Sequence, residues 1–135
     1  MQQVKLSKII EKMELKNLTP EVVVDDIGVS STDISRPAMQ LTGFYDHIDK
    51  DRVQVIGHVE YAYMQTLSED RKREVYDRFM SYNIPCVIFC RSLEPDEVVL
   101  EMANKHGVPI LMTSKTTSAF VAEIIRWLNV ELAPC

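Results

Sequence analysis

Four places in this sequence combine residue types and spacings that could do chemistry. Cys86 and Cys90 form a CxxxC pair. On a helix they would be neighbours, able to share a metal or a disulfide. The run Cys86-Val-Ile-Phe-Cys90 is apolar throughout and of strand length. On a strand the two thiols face one side but lie ~13 Å apart, too far for either role. The strand reading makes them reduced core cysteines with no metal. Thr113-Ser-Lys-Thr-Thr-Ser118 follows an apolar run and precedes a helical one. Free N–H groups at a helix start, the hydroxyls of Ser114, Thr116, Thr117 and Ser118, and Lys115 could bind an anion there. The same residue types also serve as ordinary helix caps.

Asp33-Ile-Ser-Arg-Pro37 is the third place. Proline pushes Arg36 into an extended conformation. The segment then turns apolar, with Met39, Leu41 and Phe44 requiring burial. A buried connector is expected, with Asp33, Arg36 and Pro37 as its structural motif. Arg36 should be partly buried and hydrogen-bonded to Asp33, to nearby carbonyls, or to both. The alternative presents Arg36 to a ligand or a neighbouring subunit. Last, His58-Val-Glu60 at a strand end could be a site element, though an exposed pair is the plainer reading. His47, His58 and His106 show no HxxxH or HExxH spacing, and no metal site is expected. His106 falls in the last turn of a helix, where a cation suits the dipole.

Other chemistry is excluded by spacing. The glycines are Gly28, Gly43, Gly57 and Gly107. No pair of them gives the phosphate-wrapping P-loop or a GxGxxG turn. No nucleophile–base pair emerges, so no catalytic residue is assigned.

These segments need elements to position them. The chain has 135 residues, 46% of them hydrophobic, which suits one domain with its own core. Its net charge of −5 argues against a nucleic-acid footprint. The basic run Arg71-Lys72-Arg73 is flanked by acids and reads as a solvated helix face. Neither a signal peptide nor a membrane span is apparent, and three cysteines without an even framework suggest the cytoplasm.

Leu6, Ile9, Ile10 and Met13 mark a first helix. Residues 15–18 and 21–24 read as strands broken at Thr19-Pro20. Val53 to Gly57 is a strand, and residues 60–67 form a short helix. Ser68 caps a longer helix with Val75, Phe79 and Tyr82 on its buried side. The strand at Cys86 to Cys90 follows. Pro95 sits in the first turn of the next helix, which ends at Gly107 in a left-handed cap. Val108 to Met112 is a strand, and Phe120, Ile124, Leu128 and Leu132 stripe a final helix. This alternation predicts an α/β fold: a mostly parallel sheet with helices on both faces, and further strands from the irregular first half at one edge. A single domain over residues 1–132 is expected, with 133–135 beginning a linker.

The stretches "TDISRPAMQLTGF", "VQVIGHVE" and "NIPCVIFCRSLEPDEVVLEMANKHGVPILMTSKTTSAFVAEIIRWLNVELAP" resemble, in order and spacing, the N-terminal domain of HPr kinase/phosphorylases. The resemblance spans essentially the whole chain. It implies a fold similar to the UDP-substrate domains of cell-wall ligases. It also implies a non-catalytic regulatory or assembly domain in a homo-oligomeric enzyme of bacterial carbon catabolite repression. In that family a second, C-terminal domain carries the P-loop. There ATP with Mg, or pyrophosphate, phosphorylates a serine of the phosphocarrier HPr, and phosphate reverses the reaction. The partners implied are that kinase domain and, through the full-length enzyme, HPr. No cofactor, nucleic acid or membrane is implied for this chain. The alternative function is a sensor of a nucleotide or phosphorylated metabolite, with Arg36 and residues 114–118 as contacts.

Overall fold

The computed structural model describes residues 2–43 and 49–133, without the Met39 side chain. Phe44, His47 and Cys135 lie outside the described residues. The first half of the chain gives β1 (Val4–Lys5), α1 (Leu6–Lys12), β2 (Lys16–Asn17), β3 (Gly28–Val29), β4 (Ile34–Ser35) and α2 (Ala38–Leu41). The second half gives β5 (Val53–Ile56), α3 (His58–Gln65), α4 (Glu69–Met80), β6 (Val87–Phe89), α5 (Glu97–His106), β7 (Ile110–Met112) and α6 (Thr117–Glu131).

The main sheet runs β2-β7-β6-β5-β4. β4 to β7 are mutually parallel and stand in chain order. Crossovers of one hand, all stepping in one direction, leave every connecting helix on the same face. The core follows that rule. Leu41 of α2, Met64 of α3, Phe79 of α4 and Val99 of α5 share one apolar cluster with Ile56 and Phe89. The opposite face is covered by the first and last helices. Leu6 and Ile9 of α1 meet Phe120, Ile124 and Leu128 of α6 over Val53, Val55 and Ile88. Strands buried on both faces must be apolar at every position, which is why the β6 run shows no alternation.

Local signals place most helix ends. Ser68 accepts a hydrogen bond from Arg71 N at 3.2 Å, capping α4. Gly107 closes α5 at φ +69°, a left-handed position that costs glycine nothing. Pro95 lies just ahead of α5, not within its first turn, and Asp96 takes the cap position. The Asp96 carboxylate caps nothing because Lys72 Nζ, 2.8 Å away, and Gln65 Nε2, 3.1 Å away, occupy it. The basic run at the start of α4 is ion-paired throughout: Arg71 to Glu74, Lys72 to Asp96 and Arg73 to Glu101. Lys72 is only 12% exposed, so this face is less solvated than its composition implies. His106 Nε2 lies 2.7 Å from Asp77 Oδ1, and this contact, with Lys105, holds the Asp77 carboxyl below its ordinary range.

The irregular half departs from expectation in two ways. It supplies both edges of the sheet: β4 parallel at one, β2 antiparallel at the other. It also adds a separate ribbon in which Val4 pairs Val29. Residues 21–24 form no strand. Thr19 is fully buried, and its Oγ1 accepts from Ile110 N at 3.0 Å, ending the β2 ladder. The Val22 N–H then turns back to Thr19 O at 3.0 Å. The three valines have β propensity but no strand to pair with, and Val23 is 67% exposed.

Cys86 and Cys90 flank β6 and face the α1/α6 side together, as period-2 alternation requires. Both are free and buried. Burial pushes the Cys86 thiol up to about 12. Native-state labelling by a thiol reagent is expected to be slow at both sites and to track unfolding. Rapid modification of the folded protein at either thiol would contradict this packing.

Candidate functional site

The carboxyl ends of the parallel strands deliver the chemistry-bearing residues to one edge of the sheet. β4 leads directly to Arg36. β5 ends at Gly57 and opens α3 at His58. β6 ends at Cys90 and enters a tight turn, closed by Leu93 N to Cys90 O at 3.1 Å. Both central residues of that turn are left-handed: Arg91 at φ +60° and Ser92 at φ +53°. Such positions are costly for non-glycine residues. Two backbone bonds pin the turn to the loop after β7, Arg91 N to Lys115 O and Ser92 N to Thr113 O, both 2.9 Å.

Arg36 forms a two-pronged bond to Glu60. Its Nε donates to Oε2 at 2.8 Å and its Nη2 to Oε1 at 2.7 Å. Asp33 instead lies 3.7 Å from Arg52 and is exposed. The expected Asp33–Arg36 pair fails for a geometric reason. Ile34 and Ser35 are in a strand, and residues three apart along an extended chain face opposite sides. Glu60 is not an exposed partner of His58 either; its side chain is 3% exposed and Arg36's is 40%. Glu60 stands at the third position of α3 and also accepts Gly57 N–H at 3.0 Å, the returning half of a capping box. Burial alone would push its carboxyl up. The Arg36 bonds, its own backbone and the Gly57 N–H outweigh burial and leave it below the ordinary carboxylate value.

Above this pair lies an open cleft of about 360 Å³. Its polar walls are Arg36, His58, Arg91, Thr117 and Ser118, and its apolar patches are Ile34, Val59 and Val121. Thus Arg36, Thr117 and Ser118 of the sequence-derived candidates line one cleft. Thr116 caps α6, its Oγ1 accepting from Ala119 N at 3.3 Å. Lys115 Nζ is bonded to Glu123 on the exposed side of α6. Ser114 is exposed in the connecting loop, away from the cleft. Pro37 is buried, and Leu41 reaches the core. Cys90 borders the site with its thiol raised to about 11, chiefly by burial, against the Thr117 hydroxyl and the Arg36 charge. It is protonated at neutral pH and unfit as a nucleophile. Among the described residues no group of three or more His, Cys, Asp or Glu could hold a metal ion.

Sequence reasoning missed Arg91 and the role of Glu60. Each left a faint signal. Arg91 directly follows a fully apolar strand, and Gly57 and Glu60 carry the cap and third-residue spacing of a helix start.

The topology defines the class: a three-layered α/β domain with a cationic cleft at the carboxyl edge of its sheet. One solved structure sharing this fold is the CBS and DRTGG domains of the regulatory region of Clostridium perfringens pyrophosphatase, complexed with the activator diadenosine tetraphosphate. Its TM-score is 0.56 at 12% identity, covering 90% of this chain and 46% of that one. The family profile described as HPr serine kinase N terminus matches residues 4–128, and the chain belongs to that family. The HPr kinase/phosphorylase of Lachnoclostridium phytofermentans is 52% identical over 97% of this chain and 42% of its own length. Those of Caldicellulosiruptor bescii and Alkaliphilus metalliredigens are 38% and 37% identical, over 96% and 99% of this chain. The chain therefore spans about two-fifths of the length of these relatives. No helix among the described residues is long and apolar enough to cross a membrane.

Proposed function

We propose that this domain is the non-catalytic, regulatory or assembly part of a bifunctional HPr serine kinase/phosphorylase. Phosphoryl transfer from ATP or pyrophosphate, with Mg, belongs to a C-terminal domain of the same polypeptide. HPr meets the enzyme through that domain, and the assembly is a homo-oligomer. The observation that carries this reading is the composition of the cleft. Phosphoryl transfer needs carboxylates to hold Mg²⁺ and a base for the attacking hydroxyl. Among the described residues no carboxylate lines the cleft. Glu60, bonded to the cleft residue Arg36, is buried and committed to that arginine and to a helix start. The cleft can attract an anion but cannot activate one.

Incubation of the chain with ATP or pyrophosphate, Mg²⁺ and HPr is expected to give no phosphoserine above the background without the chain. Removal of the matching domain from the Lachnoclostridium relative should leave transfer chemistry in place and alter assembly or effector response. Phosphoserine formed by the chain alone would sink the reading.

A second reading, a small-molecule sensor, is favoured by the same cleft. The fold-sharing pyrophosphatase region is itself regulatory and carries a nucleotide activator, which supports sensing as a use of this architecture.

A further inference from the structure

We propose that the cleft at the carboxyl edge of the sheet binds a small phosphate monoester, with Arg91 as the principal contact. Arg36, Thr117 and Ser118 complete the anion's shell.

Charge distribution sets this cleft apart. The chain carries 20 acidic residues against 15 Lys and Arg. Three other surface clefts each include carboxylates: Glu74 and Asp77 in one, Asp26 and Asp51 in another, Glu11, Glu14 and Glu131 in the third. The cleft at the strand ends has two guanidinium groups and an imidazole instead, and no acid among the described residues. On an acidic protein, such a patch excludes cations and concentrates anions.

The two arginines are held differently. Arg36 is fixed through Nε and Nη2 by a carboxylate buried beneath it, so it reaches the cleft already oriented. Its charge is largely balanced by Glu60. The Arg91 side chain has no hydrogen-bond or ion-pair partner among the described residues, and its backbone is locked by the turn and the Lys115 carbonyl. Arg91 therefore supplies the uncompensated charge, and its planar fork matches a phosphate. The Thr117 and Ser118 hydroxyls, at the positive end of α6, add donors on the opposite wall.

Shape narrows the class. The volume, about 360 Å³, holds one small molecule. Val59, 71% exposed, with Ile34 and Val121, offers an aliphatic wall to the group esterified to the phosphate. A nucleic-acid strand would need stacking Phe, Tyr or Trp side chains, and none of the described residues lining the cleft is one of these. A pyrophosphate is commonly held in a glycine-rich backbone cradle, and no glycine is among the described residues lining the cleft.

As a regulatory site this rests on the non-catalytic reading of the domain. As a binding site it is compatible with either result of the phosphoryl-transfer assay, so the two fail separately. The test is amide NMR titration of the chain with inorganic phosphate, with AMP as a monoester probe, and with adenosine as control. Saturable shifts are expected at His58, Arg91, Thr117 and Ser118 with both phosphates, tighter for AMP, and none with adenosine. Arg91→Asn keeps the left-handed backbone accessible and should weaken AMP binding about tenfold without changing the melting temperature. Lys115→Ala, away from the cleft, should leave it nearly unchanged. Wild-type affinity in Arg91→Asn, shifts scattered outside the cleft, or AMP binding no tighter than phosphate would overturn the assignment.

Discussion

Arg36→Ala is expected to lower the melting temperature by roughly 10 °C, with little change in secondary structure. Glu60 is the reason. Its side chain is 3% exposed, and of the three hydrogen bonds its carboxylate accepts among the described residues, two come from Arg36 nitrogens. Removing one member of a fully buried ion pair costs ~3–5 kcal/mol, because the other charge is left without compensation. Arg36 itself is 40% exposed, so solvent screens part of the interaction and the loss should be about 2–3 kcal/mol. Arg36→Lys should recover only part of this, since an ammonium cannot span both carboxylate oxygens. Arg36→Met with Glu60→Leu should recover most of it by removing both charges. The pH dependence has a definite sign. The Glu60 carboxyl is lowered from 4.5 in the fold, so its contribution is present above that value and lost as pH falls through the lower folded one. The gap between wild type and Arg36→Ala should therefore narrow under acid conditions. Thermal unfolding of both proteins across that range measures it, and superimposable melting curves at neutral pH would mean Glu60 does not depend on Arg36.

The parts of the fold legible in sequence are those set by neighbours along the chain. Ser68, Gly107 and the Phe120/Ile124/Leu128 stripe act within a few residues, and the structure places them accordingly. The continuous apolar run at β6 announced a strand covered on both faces. What sequence did not show is set by distant partners. β3 and β4 are two residues each and exist because β1 and β5 pair with them. The segment at 21–24 has the residue types of a strand but meets no strand edge. Local spacing points Arg36 to Asp33 or nearby carbonyls, yet its partner is 24 residues away and arrives through the β5–α3 connection. The cleft shows the same division. Thr117 and Ser118 were visible as a helix start. Arg91 joins them only because parallel strands end at one edge of the sheet.

Gly57→Ala is the second large effect, and it reports on the same network from the other side. The Gly57 backbone is extended, at φ −106° and ψ −167°, so alanine meets no conformational strain. Space is the difficulty. A Cβ there would lie 2.6 Å from Thr117 Oγ1 and 2.7 Å from Arg36 Nη2. The tip of an arginine would ordinarily swing aside, but this one is fixed by both oxygens of Glu60. Thr117 is in the first turn of α6 and hydrogen-bonded to the Cys90 thiol, so it also resists. Overpacking of this kind costs ~1–3 kcal/mol, and about 2 is expected here. Relief requires breaking the Arg36–Glu60 bond or shifting α6, and the two routes are separable. If Arg36 moves, the cost should fall below about 1 kcal/mol in an Arg36→Ala background, a coupling that a double-mutant cycle reads directly. An equal cost in both backgrounds would place the strain on Thr117 alone.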